Sequence, residues 1–309
     1  MSTLILPSVL SDRPFSRGEG LAAGMTVGQL RSPYLHVPTR GARTLDPPEG
    51  VHEWILAFDT VIPADAAYSH LTACALRDLP VPGTPQELPL IDVMRDSRRI
   101  RVRRRMCRGH RGLETREVEE VDGLRVVSQL DTWCDLGELP GEVGLPDIIA
   151  VGDSIANRIG DQSLDHPAFA EVLSRRVRPR GLRTLESALS LVRYGSRSPM
   201  ESFTRVMVVQ AGLPEPRINV AVGDDDGGWL LTGDLVWDEQ RVILEYQGVH
   251  HATRSRRSRD ADRAAVAMDH GAVIIEVYAE DLFDARRRRR LLLRVARALR
   301  IDPDTLVIG

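Results

Sequence analysis

The stretch "GDLVWDEQRVILEYQGVHH", Gly233 to His251, carries an aspartate near the head of one apolar run and a glutamate near the foot of the next. The two runs, rich in Val, Leu, Ile, Trp and Tyr and parted by the polar "DEQ", read as a β-hairpin. Side chains alternate between faces along a strand, so Val242, Leu244 and Tyr246 point one way and Ile243, Glu245 and Gln247 the other. A turn centred between Glu239 and Gln240 sets Asp234 opposite Glu245, and Asp238 opposite Arg241. The two carboxylates would then share one face with their Cβ atoms about 5 Å apart. Like charges so placed repel, and a hard cation such as Mg²⁺ between oxygen ligands would relieve them. Two plainer arrangements compete. Both carboxylates could stand solvated on a surface hairpin, or a shifted register could set Asp234 at a strand edge facing water. Leu231, Val242, Ile243, Leu244 and Tyr246 leave Glu245 part-buried, where a chain without lysine must answer it with a metal or an arginine.

Working outward, "SPMESFTRVMVVQAG" is a helix with Ser198 as N-cap, Pro199 in its first turn and Gly212 as terminator. Glu201 stands three residues after Ser198, the spacing of a capping box, so it serves either the helix end or a site beyond it. "RINVAV" and "GWLLTGDLVW" are strands around the turn "GDDDGG", and "RVILEYQG" is a third. "DADRAAVAMDHG" is a helix, "AVIIEVY" a buried strand, and a basic helix follows from about Asp281 to Leu299. The order is α-β-β-β-α-β-α.

The preceding chain is less regular. A short helix ending at Gly24, a second capped by Thr26 and a small hairpin around Tyr34–Val37 would make a reduced winged-helix module. A longer helix is expected over Ala64–Leu79, and "RRIRVRRR" alternates as a strand would, with Ile100 and Val102 on one face. "FAEVLSRRVRPRGLRTLESALSLVRYG" makes two helices broken near Pro179–Gly181. A boundary at Gly195–Ser198 gives an N-terminal region of residues 1–195 and a C-terminal domain of residues 196–309.

The chain of 309 residues has 42% hydrophobic and 28% charged residues and a net charge of −3, a balance that suits globular domains and excludes a polycation. The apolar opening "MSTLILPSVL" lacks a preceding basic segment and is too short for a bilayer, so neither a signal peptide nor a membrane span is expected. Cys74, Cys107 and Cys134 show no metal spacing and are odd in number, which points to a reducing, cytoplasmic setting. All 41 cationic side chains are arginine. They concentrate in Arg95–Arg111, Arg254–Arg259 and Arg286–Arg290, footprints for phosphate or solvated faces.

The helix glutamate, the hairpin aspartate and the Glu-x-polar end of the next strand, in α-β-β-β-α-β order, resemble the PD-(D/E)xK nuclease core. They are most similar to its branch related to the very short patch repair endonuclease. "LAAGMTVGQLRSPYLHVPTRG" and "DGLRVVSQLDTWCDL" resemble the winged-helix part of abortive-infection antitoxins. The likeness covers the last third of the chain well and the rest loosely. It implies an α+β protein: a restriction-endonuclease-like core with a mixed sheet, after a mainly helical region. It implies a Mg²⁺- or Mn²⁺-dependent endonuclease on duplex DNA, in DNA repair or phage defence. Asp234, Glu245 and Glu201 would be the metal carboxylates, and Gln247 stands where the commonest motif has lysine, a departure from the pattern. His250 and His251 would act as acid, base or phosphate contacts, and Arg254, Arg256, Arg257 and Arg259 would hold backbone phosphates, with a steep salt dependence. The alternatives are a domain that kept the fold and lost the reaction, acting as a DNA-binding regulator or antitoxin, and a protein–protein partner in a toxin–antitoxin or defence locus.

Overall fold

The computed structural model describes residues 4–82, 90–223, 228–248 and 268–308. The protein is an α+β structure with mixed sheets, and the chain divides into two compact units. The first comprises Met1–Val143 and Ala168–Leu182; the second comprises Gly144–Pro167 and Arg183–Gly309. The expected boundary at Gly195–Ser198 therefore falls inside the second unit, which also takes a long helix from the earlier chain.

The first unit opens with β1 (Phe15–Ser16) running into α1 (Arg17–Ala22), whose start is closed by a capping box between Ser16 and Glu19. β1 pairs antiparallel with β2 (Ala42–Arg43), and His36 bridges Thr44 where a hairpin at Tyr34–Val37 was expected. The helix expected after Thr26 is a single 3-10 turn, Gln29–Arg31, with Thr26 Oγ1 accepting the Gln29 N–H at 3.2 Å. Then come α2 (Val51–Asp59), β3 (Ala67–Tyr68), α3 (His70–Leu76), β4 (Ile91–Arg95), β5 (Cys107–Arg111), β6 (Val118–Val121), β7 (Leu124–Val127) and α4 (Gln129–Leu136). The strands form one sheet in the order β5-β4-β3-β7-β6, with β4/β5 and β3/β7 parallel and the other pairs antiparallel.

Two expectations fail here for the same reason. Ala64–Leu79 is not one helix, because Ala67 and Tyr68 are taken into the sheet between Met94 and Val93 on one side and Val126 on the other. Nor is "RRIRVRRR" a strand: Ile100 is 75% exposed, and the strands lie on either side of it in sequence. The Val102 backbone instead crosses over Gly109 of β5, where any Cβ would collide with the Val102 carbonyl. In both places pairing of distant segments overrides a local pattern.

After the first unit's main body come α5 (Leu145–Ile159), α6 (Pro167–Ser174) and α7 (Leu182–Leu189), with the expected break around Pro179–Gly181. α6 returns to the first unit, where Phe169 meets Trp133 edge-on with ring centroids 5.0 Å apart.

The second unit holds α8 (Pro199–Gln210), β8 (Arg217–Gly223), β9 (Trp229–Trp237), β10 (Val242–Tyr246), β11 (Val273–Val277), α9 (Ala279–Phe283) and α10 (Ala285–Ala298). The sheet order is β11-β10-β9-β8, with β10 and β11 parallel and the rest antiparallel. Leu235, Trp237, Val242, Leu244, Ile275 and Val277 face a core shared with α8 and α10, to which α10 gives Leu291, Leu292, Val295 and Ala296. Val236 and Ile243 belong to a smaller cluster on the opposite face, with Val220 and Ile274. The basic helix is two helices, because Asp284 turns extended and accepts the Arg287 N–H at 2.8 Å as a new N-cap. Among the described residues, no helix is long and apolar enough to cross a membrane.

Candidate functional site

The β9–β10 register pairs Trp237 with Val242, Val236 with Ile243 and Leu235 with Leu244. The ladder ends there, and Asp234 and Glu245 stand one residue beyond its last pair. On the other side of Glu245, the parallel neighbour is Glu276 of β11, whose Oε2 accepts the Tyr278 hydroxyl at 2.6 Å. A Cβ on Gly233 would lie 2.6 Å from the Val236 methyl, 2.8 Å from that of Ile243 and 3.8 Å from Glu245 Oε1. Gly233 therefore faces their cluster, and the alternation turns Asp234 the other way, within reach of the Glu201 charge.

Asp234 Oδ2 accepts the backbone N–H of Tyr246 at 2.8 Å. Burial, reinforced by the nearby Glu201 charge, pushes its carboxyl up to about 6, against the opposing pull of that N–H and of Arg197. Glu201 is itself buried at the head of α8. It accepts the Arg197 N–H at 2.8 Å, the Ser198 hydroxyl at 2.9 Å and the Asn219 side-chain amide at 2.6 Å. Sequence reasoning passed over Asn219. It lies beside Asp234, between the Ile218–Leu235 and Val220–Gly233 pairs, and its left-handed backbone (φ 50°) turns its amide toward Glu201 and the Gly195 carbonyl. An asparagine inside a strand, one of the few side chains that tolerates this conformation, was the available signal.

Gln247 is exposed just beyond β10, and its backbone N–H donates to the Val277 carbonyl at 2.7 Å. His250, His251, Arg254, Arg256, Arg257 and Arg259 lie outside the described residues.

A second constellation lies within the first unit and has no counterpart among the residues singled out from sequence. A cleft of about 660 Å³ is lined by His110, Arg116, Asp135 and Glu138 at its base and by Arg101, Arg111, Arg178 and Arg180 among the exposed residues around it. Under it Asp92, wholly buried, accepts Arg108 Nε at 2.6 Å and His110 Nε2 at 2.8 Å through one oxygen. Arg116 donates to Asp135 at 2.8 Å and to Glu138 at 2.9 Å, and Arg176 to Asp131 at 2.8 Å. Much of the Arg95–Arg111 run is thus spent internally: Arg95 bonds Asp65, Arg104 bonds the Arg40 carbonyl, and Arg108 bonds Asp92 and Glu142.

His70 is fully buried and its ring stacks on that of His110, centroids 3.6 Å apart and planes 19° from parallel. Its Nδ1 bonds Ser69 Oγ at 2.9 Å and its Nε2 has no hydrogen-bond partner among the described residues. Burial, with help from the charges around it, holds His70 well below the usual imidazole range, so the ring is neutral.

No family model matches this chain. Two uncharacterized proteins of Mycobacterium tuberculosis, Rv2248 of strain H37Rv and MT2308 of strain CDC 1551, are each 29% identical to it over 136 residues. The match takes in 43% of this chain and spans about half of those relatives, 49% of their length.

Proposed function

We propose that the second unit is a metal-dependent phosphodiesterase-type domain of the PD-(D/E)xK kind, acting on duplex DNA. The observation that carries the reading is the bond from the Tyr246 N–H to Asp234 Oδ2 at 2.8 Å, which ties Asp234 to the end of the strand that carries Glu245. An antiparallel three-stranded meander followed by a strand parallel to its last member supports it.

The donor set fits a hard divalent cation. Asp234 is desolvated enough to be raised to about 6, and its second oxygen carries no hydrogen bond among the described residues. Asp234 and Glu245 would hold Mg²⁺ or Mn²⁺, which when bound lowers the pKa of water and offsets phosphoryl charge. Glu201, engaged by three donors, fixes Asn219 and the head of α8 beside Asp234 rather than binding the ion itself. The expected test outcome is nicking of supercoiled plasmid that requires Mg²⁺ or Mn²⁺ and falls at least a hundredfold in Asp234→Asn and in Glu245→Gln. Undiminished nicking in both variants would sink the assignment.

The use of Glu201 as a helix cap and a partner of Asn219 favours a second reading, in which the domain keeps the fold and binds DNA as a regulator or antitoxin without cleaving it. Under that reading duplex binding is independent of divalent cations and unchanged by either substitution.

A further inference from the structure

Both histidines beneath the first unit's cleft have one ring nitrogen tied to an oxygen and the other left over. Asp92 accepts two bonds through Oδ1, so His110 Nε2 is the donor there and its Nδ1 is a lone pair. That Nδ1 makes no hydrogen bond among the described residues, and His110 lines the cleft. With its Nδ1 on Ser69 Oγ, His70 presents Nε2, buried and unpartnered among the described residues, which is a second lone pair in the tautomer whose Nδ1–H donates to that hydroxyl. Glu138 spends one oxygen, Oε1, on Arg116 and lines the same cleft. Among the described residues, these three form the one set of metal-ligating side chains whose ligand atoms all lie within 4.8 Å of one another.

We propose that His70 Nε2, His110 Nδ1 and a carboxylate oxygen of Glu138 bind a borderline transition-metal cation of the Zn²⁺ class, with a further position open to the cleft.

An orphaned ring nitrogen in a fully buried histidine is destabilising unless something satisfies it. A carboxylate or hydroxyl on the far nitrogen of each ring is the usual support of a ligating imidazole, and Asp92 and Ser69 supply it here. Two imidazoles and one carboxylate with an open position is the donor set of catalytic zinc sites, whereas Mg²⁺ avoids imidazole. Ligand atoms in a closed tetrahedral shell lie about 3.4 Å apart, so the stacked rings must turn toward each other's free nitrogen to take an ion.

The untagged full chain, stripped with chelator, is titrated with Co²⁺ and followed by visible absorption. The expected result is a band that saturates at one equivalent, is bleached by Zn²⁺ and is indifferent to millimolar Mg²⁺. His110→Gln and Glu138→Gln should each weaken Co²⁺ binding at least tenfold, with circular dichroism confirming the fold, while Asp234→Asn leaves it unchanged. The proposal is overturned if the wild-type chain gives no saturable band, or if affinity survives both substitutions within threefold. Loss of the band in Asp234→Asn overturns it too, by assigning the ion to the second unit. Should either variant fail to fold, the wild-type titration decides alone.

Discussion

Asp234 accepts the Tyr246 N–H at 2.8 Å, tying the carboxylate of one hairpin strand to the backbone of the other. That bond is bought with desolvation, and the carboxyl sits at about 6 instead of its ordinary 3.8. The folded protein therefore holds this proton more tightly than the unfolded chain. Its contribution to stability is fully present below pH 4 and is lost as pH rises through 6.

Asp234→Asn keeps an oxygen acceptor for Tyr246 and removes the buried charge. The variant is expected to be more stable than the parent at pH 7.5, by about 1–3 kcal/mol, and equal to it near pH 4. Urea denaturation at the two pH values checks this. A variant less stable than the parent at pH 7.5 contradicts it.

Asn219 combines a left-handed backbone with two donated hydrogen bonds. Asn219→Gly should lose the bonds but keep the conformation, and Asn219→Ala should lose both. The stabilities are expected to fall in the order parent, glycine, alanine, with about 1 kcal/mol separating the last two. Equal stability of the two variants would remove the backbone argument.

Glu201→Gln retains acceptance through one oxygen, at most two of the three bonds, and drops the charge beside Asp234. A loss of about 1 kcal/mol is expected. Divalent-cation affinity at Asp234 and Glu245 should stay within threefold of the parent, by calorimetry with Mn²⁺. A tenfold loss of that affinity makes Glu201 a ligand after all.

Arg205 is wholly buried in α8 and contacts Asp153 of α5 at 3.1 Å, Glu215 at 3.0 Å and the Leu191 carbonyl at 2.6 Å. Asp153 also takes the Ser202 hydroxyl and the Arg193 N–H, each at 2.7 Å. Asp153→Ala leaves a buried guanidinium short of its main counter-charge, so a loss of about 3–5 kcal/mol is expected in the urea melt. A loss under about 1 kcal/mol would show that Glu215 suffices.

Along the C-terminal third, local chemistry reached far into the three-dimensional answer. Period-two alternation and a polar turn were enough to pair Trp237 with Val242, Val236 with Ile243 and Leu235 with Leu244, because a one-residue slip would have turned Val236 and Ile243 out of their cluster. Ser198 and Pro199 announced the start of α8 through cap chemistry that depends on adjacent residues only. What Glu201 does was not readable in the same way. Its third donor, Asn219, arrives from a strand whose backbone turns left-handed at that residue.

The histidine constellation belongs to tertiary structure alone. His70 follows β3, Asp92 lies on β4, His110 on β5 and Glu138 follows α4, so no short spacing links them. The strand order β5-β4-β3-β7 sets β4 between the two histidine-bearing segments and returns the chain through β7 to α4. Sequence by itself determined the helix caps, the alternating faces of the hairpin and the α+β class, since each depends on neighbours along the chain. Which strands lie side by side was decided by burial of Ile91, Val93, Tyr68 and Val126 together. That choice, settled by contacts between residues far apart in the chain, is what brought the buried His70 ring close to His110 and Glu138, which line the cleft.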